Sequence, residues 1–213
     1  MGSDVLYRHI SRGSPCWMAD RTGVRRRLPT HRWLGGDRSS EDDRRVDDVI
    51  VGLRTGPTMD VGCGPGRFTA ALAGRGVPAL GVDVSATAVE MTVDRGGSAL
   101  HADVFAPLPG GGTWSHVLLA DGNVGIGGDP VRLLRRARQL LCPEGVVVAE
   151  IESLPVGVCR DHYRWETDQV VGRWFPWAHV GSDAVGAVAG SAGFHLADAY
   201  EISGRFIVSL QPS

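Results

Sequence analysis

The sequence predicts an α/β fold: a doubly wound, mostly parallel seven-stranded sheet in a single domain, closed by an antiparallel hairpin at its C-terminal end. Three observations carry this reading. Short apolar runs at 58–61, 79–82, 99–101, 116–120 and 146–151 alternate with stretches of helical period. The first run passes into a glycine-rich turn, Gly62-Cys63-Gly64-Pro65-Gly66, that opens a helix. The last two runs, 195–202 and 205–210, are separated only by Ser203-Gly204, which reads as a tight hairpin turn.

A chain of 213 residues has room for one well-buried α/β core and little beyond it. A net charge of −2 supplies no global basic field for nucleic acid or a membrane surface. All 22 basic residues are arginine, a usage that a GC-rich genome explains. Cys16, Cys63, Cys142 and Cys159 show no C-x-x-C spacing, so neither a metal site nor a disulfide framework is expected. Residues 1–10 hold no apolar leader core and no long apolar run follows, which points to a cytoplasmic protein.

Residues 1–37 lack a clear period and carry Gly13, Pro15, Pro29, Gly35 and Gly36, so they read as loop. Within them, Arg25-Arg26-Arg27 is a solvated charge run or a phosphate site. His31-Arg32-Trp33-Leu34 sets a titratable ring, a cation and an indole just before the first expected helix, where Trp33 either anchors a core or covers a site. Ser39 with Asp42 has the form of a capping box. The helix it opens ends at Arg54-Thr55-Gly56-Pro57 and places Val46, Val49, Ile50 and Leu53 on one face.

In the glycine turn, alternate glycines leave no side chain where the backbone bends sharply and approaches a ligand. The N–H groups at the start of the helix are expected to face that ligand. Cys63 sits where a small residue is needed, and Phe68, Ala71 and Leu72 form the helix's inner face. Arg67 stands where a G-x-G-x-x-G dinucleotide fingerprint wants its last small residue, which argues against NAD or FAD. From Asp60 to Gly66 the chain resembles motif I of the class I S-adenosylmethionine-dependent methyltransferases, D-x-G-C-G-x-G. The resemblance covers roughly 46–212 and points to a subset of small bacterial methyltransferases. It implies the Rossmann-like methyltransferase fold, S-adenosylmethionine as cofactor, and a segment before the first helix that folds over the cofactor as a lid.

The second strand ends in Asp83, where a carboxylate can accept both ribose hydroxyls of a nucleoside. Hydrogen bonds to a charged acceptor are each worth about 1.5–3 kcal/mol. Otherwise Asp83 is a loop carboxylate ahead of the N-cap Ser85. The resemblance carries the acidic ribose ligand onto Asp83, with Val84 beside it. It likewise carries the acceptor of the adenine amine onto Asp103, and the backbone N–H that meets the ring onto Val104. Asp103 has turn initiation as its other reading. The helix from Ser85 turns Ala88, Val89, Thr92 and Val93 inward.

The fourth strand ends in Asp121-Gly122-Asn123-Val124, and ligands of open α/β sheets bind outside the carboxyl ends of the strands. Asp121 and Asn123 are candidates for contact with the methionine amine and the acceptor, or else they stabilise an elaborate turn. The stretch is not the N/D-P-P-Y motif of base methyltransferases, which argues against base methylation. Asp129-Pro130 caps the next helix, whose Arg135, Arg136 and Arg138 form a solvated face. Pro143-Glu144-Gly145 then turns the chain into the fifth strand.

Residues 152–181 are the longest irregular stretch and concentrate His162, Tyr163, Trp165, Trp174, Phe175, Trp177 and His179. In the resembled fold an insert here lies above the cofactor cleft. Tyr163, Trp174 and Trp177 then line an acceptor pocket, or they plug the open end of the sheet. Ser182-Asp183 is expected to cap the last helix.

Alignment of acceptor and methyl group can supply about 7–11 kcal/mol without acid or base. A base is needed only where the acceptor is a phenol or alcohol, and His31, His162 and His179 are its candidates, each with a structural role as the alternative. The expected organisation is an N-terminal lid or loop segment, 1–37, and a cofactor-binding domain, 38–213, with an aromatic substrate insert at 152–181. The expected function is methyl transfer to a small-molecule acceptor, at oxygen first and nitrogen next, with no nucleic-acid or membrane partner. Two other readings stay open: an RNA or protein methyltransferase, supported only by Arg25–Arg27, and a non-catalytic S-adenosylmethionine-binding protein that docks a partner through its aromatic insert.

Overall fold

The computed structural model describes residues 3–53 and 55–213. In chain order its elements begin with α1 (Ser3–Ser11), β1 (Trp17–Ala19), β2 (Arg25–Arg27), α2 (Thr30–Leu34) and α3 (Glu41–Gly52). The central run follows as β3 (Thr58–Val61), α4 (Arg67–Gly74), β4 (Ala79–Asp83), α5 (Ala86–Asp94), β5 (Ala99–His101), β6 (Trp114–Leu119), α6 (Pro130–Leu140) and β7 (Leu141–Ile151). The chain ends with β8 (Val158–Glu166), β9 (Phe175–Val180), α7 (Val185–Ser191), β10 (Phe194–Ile202) and β11 (Arg205–Pro212).

Seven strands form the main sheet in the order β10-β11-β7-β6-β3-β4-β5, parallel from β7 to β5 and antiparallel at β10 and β11. From β3 the chain winds outward through β4 and β5 and then returns to β6 on the other side. The strand order therefore reverses between β3 and β6, which is where an open α/β sheet has its ligand crevice. Period-two alternation sorts the core. Met59, Val117, Leu119 and Val147 pack with Leu133, Leu134 and Leu140 of α6 on one face. Leu118, Val148 and Ile207 pack on the other face with Val46, Ile50, Phe68 and Leu72. At the hairpin, Ser203 and Gly204 both take positive φ, 49° and 75°, as a type I′ turn requires.

Local detail departs from the sequence expectation at several points. The capping box of α3 is Ser40 with Asp43, one residue later than expected, and Val51 rather than Leu53 completes the buried face. Arg54, expected in the helix stop, lies outside the described residues, as do residues 1 and 2 of the N-terminal segment. Thr69 takes the inward place expected of Ala71, because its hydroxyl donates to Asp60 Oδ2 at 2.7 Å. On α5, Ala88 and Thr92 are buried and Val93 is exposed. Pro143-Glu144-Gly145 is an irregularity inside β7, where pairing with β6 jumps from Leu141 to Val146. No side chain caps α7; Asp183 instead accepts the Gly157 N–H.

The largest correction concerns the two stretches expected to be irregular, 1–37 and 152–181. They form one antiparallel four-stranded sheet in the order β2-β1-β8-β9. Met18 lies opposite both Arg26 and Trp165, and Tyr163 lies opposite Phe175. Strands of three residues carry no readable period, and β1 finds its partner in a distant part of the chain, so nothing local announces the pairing. Leu6 and Ile10 of α1 are buried with Cys16, Leu28 and Leu34. Asp4 ties α1 to the main domain by accepting from the Ser85 hydroxyl at 2.6 Å and the Thr87 N–H at 3.1 Å. Among the described residues no helix is long and apolar enough to cross a membrane.

Candidate active site

A cavity of about 850 Å³ lies between the small sheet and the carboxyl ends of β3, β4 and β6. That volume is within the range of small-ligand and cofactor sites. Its floor is Val61, Gly62, Asp83, Val84, Asp103, Val104, Asp121 and Asn123, and its roof includes Trp165, Trp174, Phe175, Trp177 and His179.

The glycine turn builds the floor from beneath. A Cβ on Gly62 would stand 2.7 Å from Asn123 Nδ2, and one on Gly66 would stand 2.8 Å from the Thr92 backbone. Only glycine fits either place, and both take positive φ. The donors of the turn itself are used within the protein. Gly62 and Cys63 donate to the Val82 carbonyl, Gly64 donates to Asp83 Oδ2, and Gly66 donates to the Cys63 carbonyl. The turn thus offers bare backbone surface, and its N–H groups hold its own shape.

Asp60, Cys63, Gly64 and Gly66 sit behind the cavity wall. Asp60 is buried against Thr69, and burial raises its carboxyl to about 6. Burial also pushes the Cys63 thiol far up, so it is an uncharged packing group. Gly64 lies under Tyr7, whose hydroxyl would be 3.2 Å from a Cβ there. Tyr7 lines the cavity and was not singled out in the sequence, although Leu6 and Ile10 at i and i+4 are a helical signal that placed it.

Asp83 closes the far side. Its Oδ1 accepts the Ser85 N–H at 2.8 Å and its Oδ2 accepts the Gly64 N–H at 3.0 Å. A carboxylate has about four lone-pair sites, so each oxygen keeps capacity for a further donor. Burial raises its pKa, against the pull of those two N–H groups. Asp103 accepts the Phe105 N–H through Oδ1, while the Val104 N–H has no acceptor among the described residues.

Asp121 and Asn123 are both brought to the cavity, and both are occupied. Asn123 Nδ2 donates to the carbonyls of Val61 and Gly62 at 2.9 and 3.0 Å, pinning the end of β3. Asp121 takes a left-handed φ of 51° and donates its N–H to Glu150. Its carboxylate meets the guanidiniums of Arg67, Arg32 and Arg205. Burial acts to raise its pKa, but the three arginines hold it below the usual carboxylate range. Arg67 also pairs with Asp47, and Arg205 with Glu150. Arg67, the residue that breaks the dinucleotide fingerprint, is therefore the centre of a buried ion network that reaches α2 through Arg32.

The three histidine candidates separate cleanly. His31 is exposed, with Nε2 3.8 Å from Asp43, and takes no part in the cavity lining. His162 falls on the outer face of the roof sheet, because its neighbours 161 and 163 share the inner face with Trp177 and Phe175. His179 lines the cavity, its Nδ1 bonds to Glu152 Oε1 at 2.8 Å, and its Nε2 is buried with no hydrogen-bond partner among the described residues. That bond holds the Glu152 carboxyl below its usual range. Tyr163 stands behind His179, ring to ring at 5.5 Å, rather than in the lining. Trp174 lines the cavity beneath the Arg164 guanidinium, and Trp177 stacks edge-on to Phe175 at 6.2 Å. Glu152 carried no sequence signal; it pairs with His179 only because β9 returns alongside the end of β7.

Comparison with known proteins agrees with this geometry. Residues 59–149 match a family model described as a methyltransferase domain. That span contains the glycine turn, Asp83, Asp103, Asp121 and Asn123. A methyltransferase from Bacteroides fragilis, solved with S-adenosyl-L-homocysteine, superposes with a TM-score of 0.80 at 19% identity, over 98% of this chain and 92% of that one. The CcbJ methyltransferase from Streptomyces caelestis gives 0.62 at 17% identity, over 84% and 93%. The 1,6-didemethyltoxoflavin-N1-methyltransferase from Burkholderia thailandensis gives 0.58 at 16% identity, over 79% and 76%. At such identities the likeness is one of fold. No curated protein sequence matches the chain. With the family match, the sheet order and the open carboxylate of Asp83 in place, residues 59–149 carry a methyltransferase domain, and the chain has the fold of solved S-adenosylmethionine-dependent methyltransferases.

Proposed function

We propose that this enzyme methylates a hydroxyl of a small-molecule acceptor, with His179 as general base. The observation that carries the proposal is the buried His179 Nε2, which has no hydrogen-bond partner among the described residues, on a residue of the cavity roof backed by Glu152 on Nδ1. With Nδ1–H donating to the carboxylate, the imidazole is fixed in the tautomer that leaves the Nε2 lone pair free. S-adenosylmethionine supplies an electrophilic methyl on a sulfonium whose leaving group is a neutral thioether. As the acceptor oxygen takes that methyl, His179 Nε2 takes its proton, and Glu152 stabilises the imidazolium that forms.

On the cofactor side, Asp83 receives the ribose hydroxyls on its two oxygens. Asp103 and the free Val104 N–H serve the adenine edge, with Val84 against the ring. Tyr7 and the Gly62 backbone flank the chain between nucleoside and methionine. Asp121 acts through the arginines it gathers, and Asn123 through the strand end it pins. Residues 1–37 and 152–181, joined as one sheet, cover the cofactor and acceptor together. Enclosure by this roof supports a small acceptor over a macromolecular one, and the Burkholderia neighbour was solved with bound 1,6-didemethyltoxoflavin. Cytoplasmic residence fits such a substrate.

The test is S-adenosylhomocysteine release over a panel of phenols and alcohols. His179→Ala should lower kcat by roughly 100-fold or more while S-adenosylhomocysteine binding stays as in wild type. Glu152→Gln should lower kcat less and move the acid limb of the pH profile. A His179→Ala enzyme that keeps wild-type kcat on its best acceptor would remove the base assignment.

A further inference from the structure

We infer that the acceptor is a flat aromatic hydroxy acid, held between an aromatic roof and a set of unpaired arginines. The inference rests on the hydroxyl-methylating reading of the same cavity and adds the acceptor's shape and charge.

The register of the roof sheet fixes which side chains hang into the cavity. Residues opposite one another in antiparallel strands share a face, and alternate residues along a strand share it too. Arg26, Met18 and Trp165 form one cross-strand row. Phe175, Trp177 and His179 continue the same face along β9. These six line the cavity. Trp33 meets Trp165 edge-on at 6.5 Å, Trp165 meets Phe175 at 4.6 Å, and Phe175 meets Trp177 at 6.2 Å. Ring edges and faces spaced this way form a slot into which a planar ring stacks. Trp33 lines that cavity, and its Nε1–H is buried with no hydrogen-bond partner among the described residues. Trp33 and His179 thus each bring a buried nitrogen without a hydrogen-bond partner among the described residues to the cavity wall.

Charge at the mouth is unbalanced. Arg26, Arg27 and Arg173 line the cavity, and their side chains form no hydrogen bond or ion pair among the described residues. Four carboxylates line it as well. Asp83 and Asp103 lie at the ends of β4 and β5, away from the roof. Asp121 is met by three arginines, and Glu152 is bonded to His179. On the acceptor side Glu152 is the one lining carboxylate that bears on Arg26, so three guanidiniums face a single negative charge. Arg26 also shares its sheet face with His179, so an anion held by the arginines lies along the slot from the base. Unpaired guanidiniums beside a stacking slot match a ring carrying a carboxylate at one edge and a hydroxyl at another.

Two probes separate charge from shape: 1-hydroxy-2-naphthoate and 1-naphthol, titrated calorimetrically into protein saturated with S-adenosylhomocysteine at low salt. The naphthoate should bind at least about tenfold more tightly, as expected for one or two charge-assisted hydrogen bonds. Added salt should erode that margin, since the arginines are exposed. The Arg26→Ala, Arg173→Ala double variant should bring the two probes to within about threefold of each other, with S-adenosylhomocysteine affinity unchanged as the check on folding. Equal affinities in the wild type, a margin that survives the double variant, or no binding of either probe to protein that binds S-adenosylhomocysteine would each overturn the inference. Failure to bind S-adenosylhomocysteine at all would instead strike the methyltransferase reading, and this inference with it.

Discussion

Asp60 heads the glycine-turn motif, yet it stands behind the cavity lining. It is buried on β3 and accepts from the Thr69 hydroxyl, locking the start of α4 to the strand below. Burial raises its carboxyl from 3.8 to about 6. A carboxyl whose folded pKa lies above its unfolded value binds protons more readily when folded. Its stabilising contribution is present below the unfolded pKa and is lost as pH rises through the folded one. A shift of this size corresponds to about 3 kcal/mol. The stability advantage of wild type over Asp60→Asn should therefore shrink by about 2 kcal/mol between pH 4 and 7 in urea unfolding. A difference that stays flat across that range would show that Asp60 titrates as an ordinary exposed carboxylate.

At the scale of elements, the glycine turn is a joint between α4 and α5. Gly66, with φ of 81°, faces Thr92 so closely that a methyl group would meet its side chain at 2.6 Å and its backbone at 2.8 Å. Gly76 has φ of 73° and open space around it. Alanine at Gly76 should cost only the left-handed backbone penalty, about 1–2 kcal/mol. Alanine at Gly66 adds overpacking to that penalty, for a loss of about 2–5 kcal/mol by denaturant unfolding. Equal costs at the two positions would mean that α5 yields freely.

The parallel strands, the glycine turn and the C-terminal hairpin were legible in the sequence because their signals are local: apolar runs, glycine spacing, a two-residue turn. The places of Asp83, Asp103 and Asp121 in the cavity lining were legible for a related reason, since the end of a parallel strand is where an open α/β sheet has its crevice. Cap positions moved by a residue where two polar residues in a row could serve, as at Ser39 and Ser40. The small sheet was not legible. Its short strands β1 and β2 have no period, and the aromatic residues of β8 and β9 look like a loop until β1 supplies the partner. Glu152 and Tyr7 were hidden for the same reason, as each acquires meaning only from a long-range neighbour.

At the scale of the molecule, two chain segments far apart in sequence close over one crevice. The roof is joined through the β1–β8 ladder, tied to α5 by Asp4, and linked to the floor by the Arg32–Asp121 ion pair. Ligand binding should therefore steady both halves at once. In hydrogen exchange, S-adenosylhomocysteine should protect residues 17–27 and 158–180 together; protection of one stretch without the other would mean that the two halves move independently.

The central claim, that S-adenosylmethionine binds in this crevice with its ribose on Asp83, is tested most directly by calorimetric titration of S-adenosylhomocysteine into wild type and Asp83→Ala. Loss of two hydrogen bonds to a charged acceptor predicts binding weakened about tenfold or more in the variant. Equal binding by both proteins would contradict the ribose assignment, and binding of NAD(H) in place of S-adenosylhomocysteine by the wild type would contradict the account as a whole.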